Sequence, residues 1–226
     1  MAAVIFDMDG VIVDSELHWK AVEAEFLQGL VGSWGDEDQR GIIGMSLYDI
    51  HQRLVDRYQL QISREEFLHF YRDLSKVIYG ERASLIPGFS ETIQSLVDGG
   101  VRVGLASSSP HSWIGMVLDR FNLRPHFTAV VSSDDVEGRG KPAPDIYLFA
   151  AGVMGIAPER CLAIEDSSKG VTSAKSAGMR CFGLRNGHNE DQDLSAADAV
   201  LDGFAAESLQ AVREALRSIA ARAENV

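Results

Sequence analysis

The strongest constraint in this 226-residue chain is an alternation that sets in at Pro87-Gly88, where short apolar runs begin to trade places with amphipathic stretches. The runs are VRVGLA at 101–106, TAVV at 128–131, CLAI at 161–164, CFGL at 181–184 and AVL at 199–201. Between them lie helical patterns with start and stop signals. Phe89, Ile93 and Leu96 precede Gly99-Gly100, and Pro110 opens a stretch carrying Ile114, Val117 and Phe121. Strands buried on both faces read as unbroken apolar runs, and their alternation with helices points to a parallel sheet covered on both sides. The fold expected is therefore α/β, a doubly wound parallel sheet. Residues 2–6, AAVIF, form one more such run that ends abruptly in Asp7, so this first strand belongs to the same sheet.

A different texture separates that strand from the others. Trp19, Val22, Phe26 and Leu30 recur at helical spacing, as do Leu47, Ile50 and Leu54, and then Phe67, Tyr71, Leu74 and Ile78. Ser63 with Glu66 three residues on is a capping box, and Gly29, Gly32 and Gly35 mark a connection between helices. This block reads as an all-helical insertion. The expected organisation is an α/β core domain from residues 1–16 and 82–226, with an inserted helical domain at 17–81, which the resemblance described below makes a cap. Near the C-terminal end, Leu209, Val212, Leu216 and Ile219 share one helix face, which should dock on the core.

Composition narrows the functional classes. The net charge of −12 would repel nucleic acid and anionic lipid, so neither is an expected partner. No apolar run approaches the roughly 20 residues of a membrane span, because Asp7 and Asp9 interrupt the first one. The same carboxylates stand where a secretory leader would carry its apolar region, so a cytoplasmic location is expected. Two cysteines, Cys161 and Cys181, each begin an apolar segment and read as small buried side chains, which leaves no disulfide scaffold. A monomer is expected.

In an open parallel sheet ligands bind beyond the carboxyl ends of the strands, so the polar residues that end each apolar run should converge. The first strand ends in Asp7-Met8-Asp9-Gly10, the second in Ser107-Ser108-Ser109 and the CLAI strand in Glu165-Asp166-Ser167, while Lys141 sits in a loop before a helix. Carboxylates held close together repel unless a cation joins them. Oxygen ligands of this kind suit Mg²⁺ far better than zinc, for which the chain has no Cys/His cluster. A magnesium ion would also accept phosphate oxygens and offset the negative field, with Lys141, the Ser107 hydroxyl and backbone N–H groups of the DMDG turn completing an anion cradle. One aspartate could then attack phosphorus in line while another, two residues on and facing the same way in extended chain, serves as acid and base. DxDG alone is weak, since an Asp-rich turn reads the same way. Ser107 alone could be a turn hydroxyl, and Lys141 a surface lysine.

The segments FDMDGVIVDSE at 6–16, LASSS at 105–109, GKPAPDIY at 140–147 and IEDS at 164–167 together resemble the four ordered motifs of the haloacid dehalogenase superfamily, in its helical-cap branch. The resemblance covers most of the core. It implies that Asp7 is the nucleophile forming an aspartyl-phosphate and that Asp9 is the general acid and base, its carbonyl also touching magnesium. Asp166 becomes a metal ligand, and Glu165 an occasional ligand or an acid one layer behind. Ser107, with Ser108 beside it, and Lys141 bind the phosphate. Asp9 favours phosphate esters, because dehalogenases of the superfamily do not need it. The resemblance also makes the helical insert a lid that closes over the rim and selects the substrate.

Two reactions share this core: hydrolysis, and the mutase reaction of β-phosphoglucomutase. The mutases grip a second phosphate with a cap arginine after Gly-x-Ser, whereas this chain has Gly44-Met45-Ser46 followed by Leu47. The DSE-x-x-W pattern from Asp14 to Trp19 is similar to sugar-phosphate phosphatases of the group, and it adds Glu16 as a substrate contact. Trp19 at helical spacing with Val22 reads as core, and His18 and His111 as structural. The expected activity is a magnesium-dependent phosphatase acting on a small phosphorylated metabolite, such as a sugar phosphate. The alternatives are a phosphosugar mutase, a module that binds a phosphorylated ligand without turnover, and a phospho-receiver domain. The last is disfavoured by the chain's length, its helical insert and its Asp-x-Asp pattern.

Overall fold

Every one of the six apolar runs is a strand: β1 (Ala3–Phe6), β2 (Arg102–Ser107), β3 (Ala129–Ser132), β4 (Cys161–Glu165), β5 (Arg180–Arg185) and β6 (Ala199–Asp202). They form one sheet in the order β3-β2-β1-β4-β5-β6, with all pairs parallel. The computed structural model describes residues 2–42, 47–137 and 139–222. Its helices are α1 (Ser15–Val31), α2 (Asp36–Arg40), α3 (Leu47–Tyr58), α4 (Arg64–Val77), α5 (Phe89–Asp98), α6 (His111–Arg120), α7 (Asp145–Met154), α8 (Ser168–Ser176) and α9 (Ala206–Arg222). Gly44, Met45 and Ser46 lie outside the described residues.

The chain divides into two compact units, Met1–Asp14 with Ser84–Val226, and Ser15–Ala83. In the sheet unit the order of strands reverses at β1. Its neighbours are β2 on one side and β4 on the other, so a crevice opens at their carboxyl ends, the switch point at which such sheets bind ligands. Alternation along the strands sorts the core. Ala3 and Ile5 of β1, with Cys161 and Ala163 of β4, face Tyr147 and Ala150 of α7 and Val171 and Ala174 of α8. On the other parity Phe6 meets Phe89 of α5 edge-on with ring centroids 5.4 Å apart, and Phe204 closes an aromatic trio at 5.6 Å from Phe89. Along α9, Val212, Leu216 and Ile219 are buried, as their spacing predicts, and Leu209 is half-buried.

The helical unit builds its own core from Leu27, Ile42, Ile50, Leu54, Phe67 and Tyr71, on which Trp19, Phe26 and Leu47 pack. Ser63 caps α4 as expected: its hydroxyl oxygen accepts the Glu66 N–H, and the Glu66 carboxylate accepts the Ser63 N–H at 3.0 Å. Gly29 is a correction, since it lies inside α1 and the connection begins at Gly32, whose φ is +77°. A glycine inside an exposed helix turn costs only about 1 kcal/mol relative to alanine, which the packing of Leu27 and Leu30 on either side readily offsets. After α4 the chain ends the unit in a π-turn, Ile78–Arg82.

Candidate active site

Register and alternation together bring the first acids into one place. Phe6 pairs with Ile164, so the next residues, Asp7 and Glu165, stand abreast, and the Asp7 N–H donates to the Ile164 carbonyl at 3.0 Å. Both continue the parity of Ile5 and Ala163, which directs them to the face covered by α7 and α8. There the loop before α7 supplies Lys141. Its ammonium donates to Asp7 Oδ1 at 2.5 Å and lies 2.6 Å from Glu165 Oε1, with all three side chains nearly or fully buried.

Glu165 is held on every side. The Tyr147 hydroxyl donates to Oε1 at 2.7 Å and the Ser167 hydroxyl to Oε2 at 3.1 Å, while the Ser167 oxygen accepts the Gly170 N–H to cap α8. A Cβ on Gly170 would overlap the Glu165 carboxyl, so only glycine lets α8 start this close to the strand end. Gly10 has a comparable role in the turn after β1. Its φ is +77°, and a Cβ there would run into the Asp166 carboxylate.

The electrostatics follow from this crowding. Burial pushes the Asp7 carboxyl up, the Lys141 ammonium opposes that, and Glu165 and Asp9 add to the rise, leaving it at about 8. Burial disfavours the Lys141 charge, yet Asp7 and Glu165 outweigh it and raise its pKa above the ordinary value. Burial and then Glu165 put the Tyr147 hydroxyl well above its usual range, so it acts as a donor. Asp7, Glu165 and Asp166 each offer a carboxylate oxygen within 4.8 Å of the others. With all three acids ionised, one ammonium would leave the cluster short of positive charge, and an all-oxygen donor set fits a hard divalent cation such as Mg²⁺.

Asp9 and the serines make a second group on the same strand ends. The Ser109 hydroxyl donates to Asp9 Oδ2 at 2.7 Å, and the Ser109 N–H donates to Ser107 Oγ at 3.0 Å. Ser107 is buried and Ser108 is exposed. Sequence reasoning singled out Ser107 and Ser108 but gave Ser109 no role. The signal was present, since residues two apart at a strand end face the same way. It also missed Asn186 and Asn189, which bond to Asp166 from the loop after β5. Tyr147 was quoted only as part of a motif.

Glu16 is exposed in the first turn of α1, within the helical unit. Trp19 packs inside that unit, stacked on Tyr71 and donating its indole N–H to Tyr79 at 3.0 Å. His111 pairs with Asp135 at 2.8 Å. Cys161 and Cys181 are free, buried thiols. Among the described residues no helix is long and apolar enough to cross a membrane.

The sequence profile of the haloacid dehalogenase-like hydrolases matches residues 4–184. The chain belongs to this family. A phosphorylated carbohydrates phosphatase of Thermotoga maritima is 30% identical over 217 residues, covering 96% of this chain and 100% of that one. Hexitol phosphatase B of Escherichia coli is 33% identical over 183 residues, covering 79% and 81%. Among solved structures, a β-phosphoglucomutase of Clostridium difficile superposes with a TM-score of 0.72 at 25% identity, covering 93% of this chain and 96% of that one. The resemblance drawn from the four motifs and the doubly wound fold stand with these matches, as does the assignment to the family's phosphatases.

Proposed function

We propose that this haloacid dehalogenase-like hydrolase releases inorganic phosphate from a small phosphorylated metabolite of the sugar-phosphate class, with Asp7 as the nucleophile. The observation that carries the reading is the Asp7 carboxylate at the switch point of the sheet, fixed by a buried lysine, with Asp9 two residues further on and held by Ser109. The names of the Thermotoga and Escherichia relatives supply the substrate class.

In this mechanism one Asp7 oxygen attacks phosphorus in line. A phosphorus–oxygen bond to Asp7 forms as the ester bond breaks, and Asp9 gives its proton to the departing alkoxide. Water then attacks the aspartyl-phosphate, Asp9 takes up the water proton, and phosphate leaves with Asp7 restored. Lys141 holds the phosphoryl oxygens. Ser107 assists as a hydroxyl donor, because its oxygen already accepts the Ser109 N–H and its own proton is left for the ligand. Asp7, Asp166 and the Asp9 carbonyl would hold Mg²⁺, and Glu165 serves Lys141 as counter-charge. When bound, the ion adds positive charge against the phosphoryl oxygens.

The mutase alternative shares this core and draws on the similarity to the Clostridium enzyme. Against it, the position that carries an arginine in the mutases is Leu47, which packs on the core of the helical unit and offers no charge to a second phosphate.

Phosphate release from a panel of sugar and polyol phosphates, with Mg²⁺ or with EDTA, tests the proposal. Metal-dependent release that disappears in Asp7→Asn is expected. A folded protein that frees no phosphate from any ester overturns the phosphatase reading. Conversion of β-glucose 1-phosphate to glucose 6-phosphate in the presence of the bisphosphate would instead establish the mutase.

A further inference from the structure

We propose that Asn186 is a positioning residue of the cation site. Its side-chain amide bridges the Gly10 carbonyl and the Asp166 carboxylate, and so fixes the direction in which Asp166 presents its remaining lone pairs. The inference rests on reading Asp7 and Asp166 as ligands of a divalent cation.

Asn186 is the first residue after β5. Its Nδ2 donates to the Gly10 carbonyl at 2.8 Å and to Asp166 Oδ2 at 3.2 Å, which uses both of its hydrogens. Its Oδ1 accepts the His188 N–H at 2.9 Å, and its own N–H donates to Asn189 Oδ1 at 3.2 Å. Asn189, 1% exposed, donates from Nδ2 to the Asp166 carbonyl at 2.7 Å and to the Leu184 carbonyl at 2.8 Å. Two asparagines three residues apart therefore grip Asp166 by its side chain and by its main chain. Behind them Arg185 donates to the carbonyls of Asn189 and Gln192, which keeps the loop closed on itself.

The choice of an amide has a physical reason. Gly10 and Asp166 both present acceptors, so the bridge needs two donors and no charge. An aspartate at position 186 would set a further carboxylate against the acids already there. Asn186 also ties Asp166 to the turn carrying Asp9 and Gly10, whose close approach is the reason position 10 admits no Cβ. Groups that orient a ligand without touching the ion typically change metal affinity by about 10–100-fold.

Mn²⁺ binding to the full chain without substrate, followed by calorimetry, separates the possibilities. Asn186→Ala is expected to bind Mn²⁺ at least about tenfold more weakly than the parent. It should keep its far-UV circular dichroism and its urea midpoint in EDTA, and recover most of its kcat at saturating Mg²⁺. Asn186→Ser retains one donor and should fall between the two, which keeps the test decisive should the alanine variant not fold. Unchanged Mn²⁺ affinity in a folded variant overturns the role of Asn186, and so does a loss of kcat that saturating Mg²⁺ does not restore. A parent that binds no Mn²⁺ overturns the cation site itself, and this inference with it.

Discussion

Glu165 in the sheet unit and Glu23 in the helical unit each accept a hydrogen bond from a tyrosine hydroxyl at 2.7 Å, from Tyr147 and Tyr71 respectively. What surrounds the pair differs. Around Glu165 the strand ends add the Lys141 ammonium and, through it, Asp7. Around Glu23 the second donor is the neutral amide of Gln39 at 2.6 Å, whose own oxygen accepts the Trp34 indole N–H at 2.7 Å. The helical unit thus uses an acid to fix the packing of three helical segments, while the sheet unit uses the same pairing to hold the Lys141 ammonium beside Asp7. A tyrosine–glutamate contact is ordinary by itself. Chemistry arises where a parallel register sets a second acid beside it.

The largest expected effect is at the point of difference. Asp7→Asn should lower phosphate release by at least about 10³-fold, measured as initial rates, because in the proposed mechanism it removes the covalent route. Next comes Gly170→Ala, whose added methyl meets the Glu165 carboxyl. Urea unfolding should show a loss of about 1–3 kcal/mol, with activity falling as Glu165 is displaced.

A matched pair then probes the comparison directly. Tyr147→Phe and Tyr71→Phe each remove one hydroxyl from a glutamate and should each cost about 1–3 kcal/mol in urea unfolding. Only Tyr147→Phe should also reduce kcat at saturating substrate. An equal fall in kcat for Tyr71→Phe would break the distinction between the two units. The smallest effect is that of Ser63→Ala, which removes the cap of α4 and should cost about 1 kcal/mol while leaving kcat unchanged.

The sequence legibly encoded the sheet and its rim because each strand ends in a step from apolar to polar residues, as at Phe6-Asp7 and Ile164-Glu165. Order along the chain, read with the doubly wound rule, was enough to place Asp7, Lys141, Glu165 and Asp166 at one edge. Helix α8 was less visible, since SKGVTSAKS buries mainly Val171, Ala174 and Ser173 and shows no stripe of large apolar residues. Asn186 and Asn189 lie in a loop without periodicity, and their roles depend on where Gly10 and Asp166 come to rest. Ser109 differs, because alternation from Ser107 already pointed to it. The mutual saturation of Glu165 by a lysine, a tyrosine and a serine is a tertiary fact that no local pattern encodes.

The place of β1 in the sheet bears on how the polypeptide matures. This strand precedes the other five in the chain, yet its hydrogen-bonding partners begin at Arg102 and Cys161. Between β1 and β2 the chain lays down the inserted helices, which have a core of their own within Ser15–Ala83. During translation Asp7 therefore emerges long before Lys141, Glu165 and Asp166, the residues gathered around it in the folded protein. A nascent chain stopped short of β4 would carry Asp7 on a strand missing one of its two flanks and without the neighbouring Glu165 and Asp166.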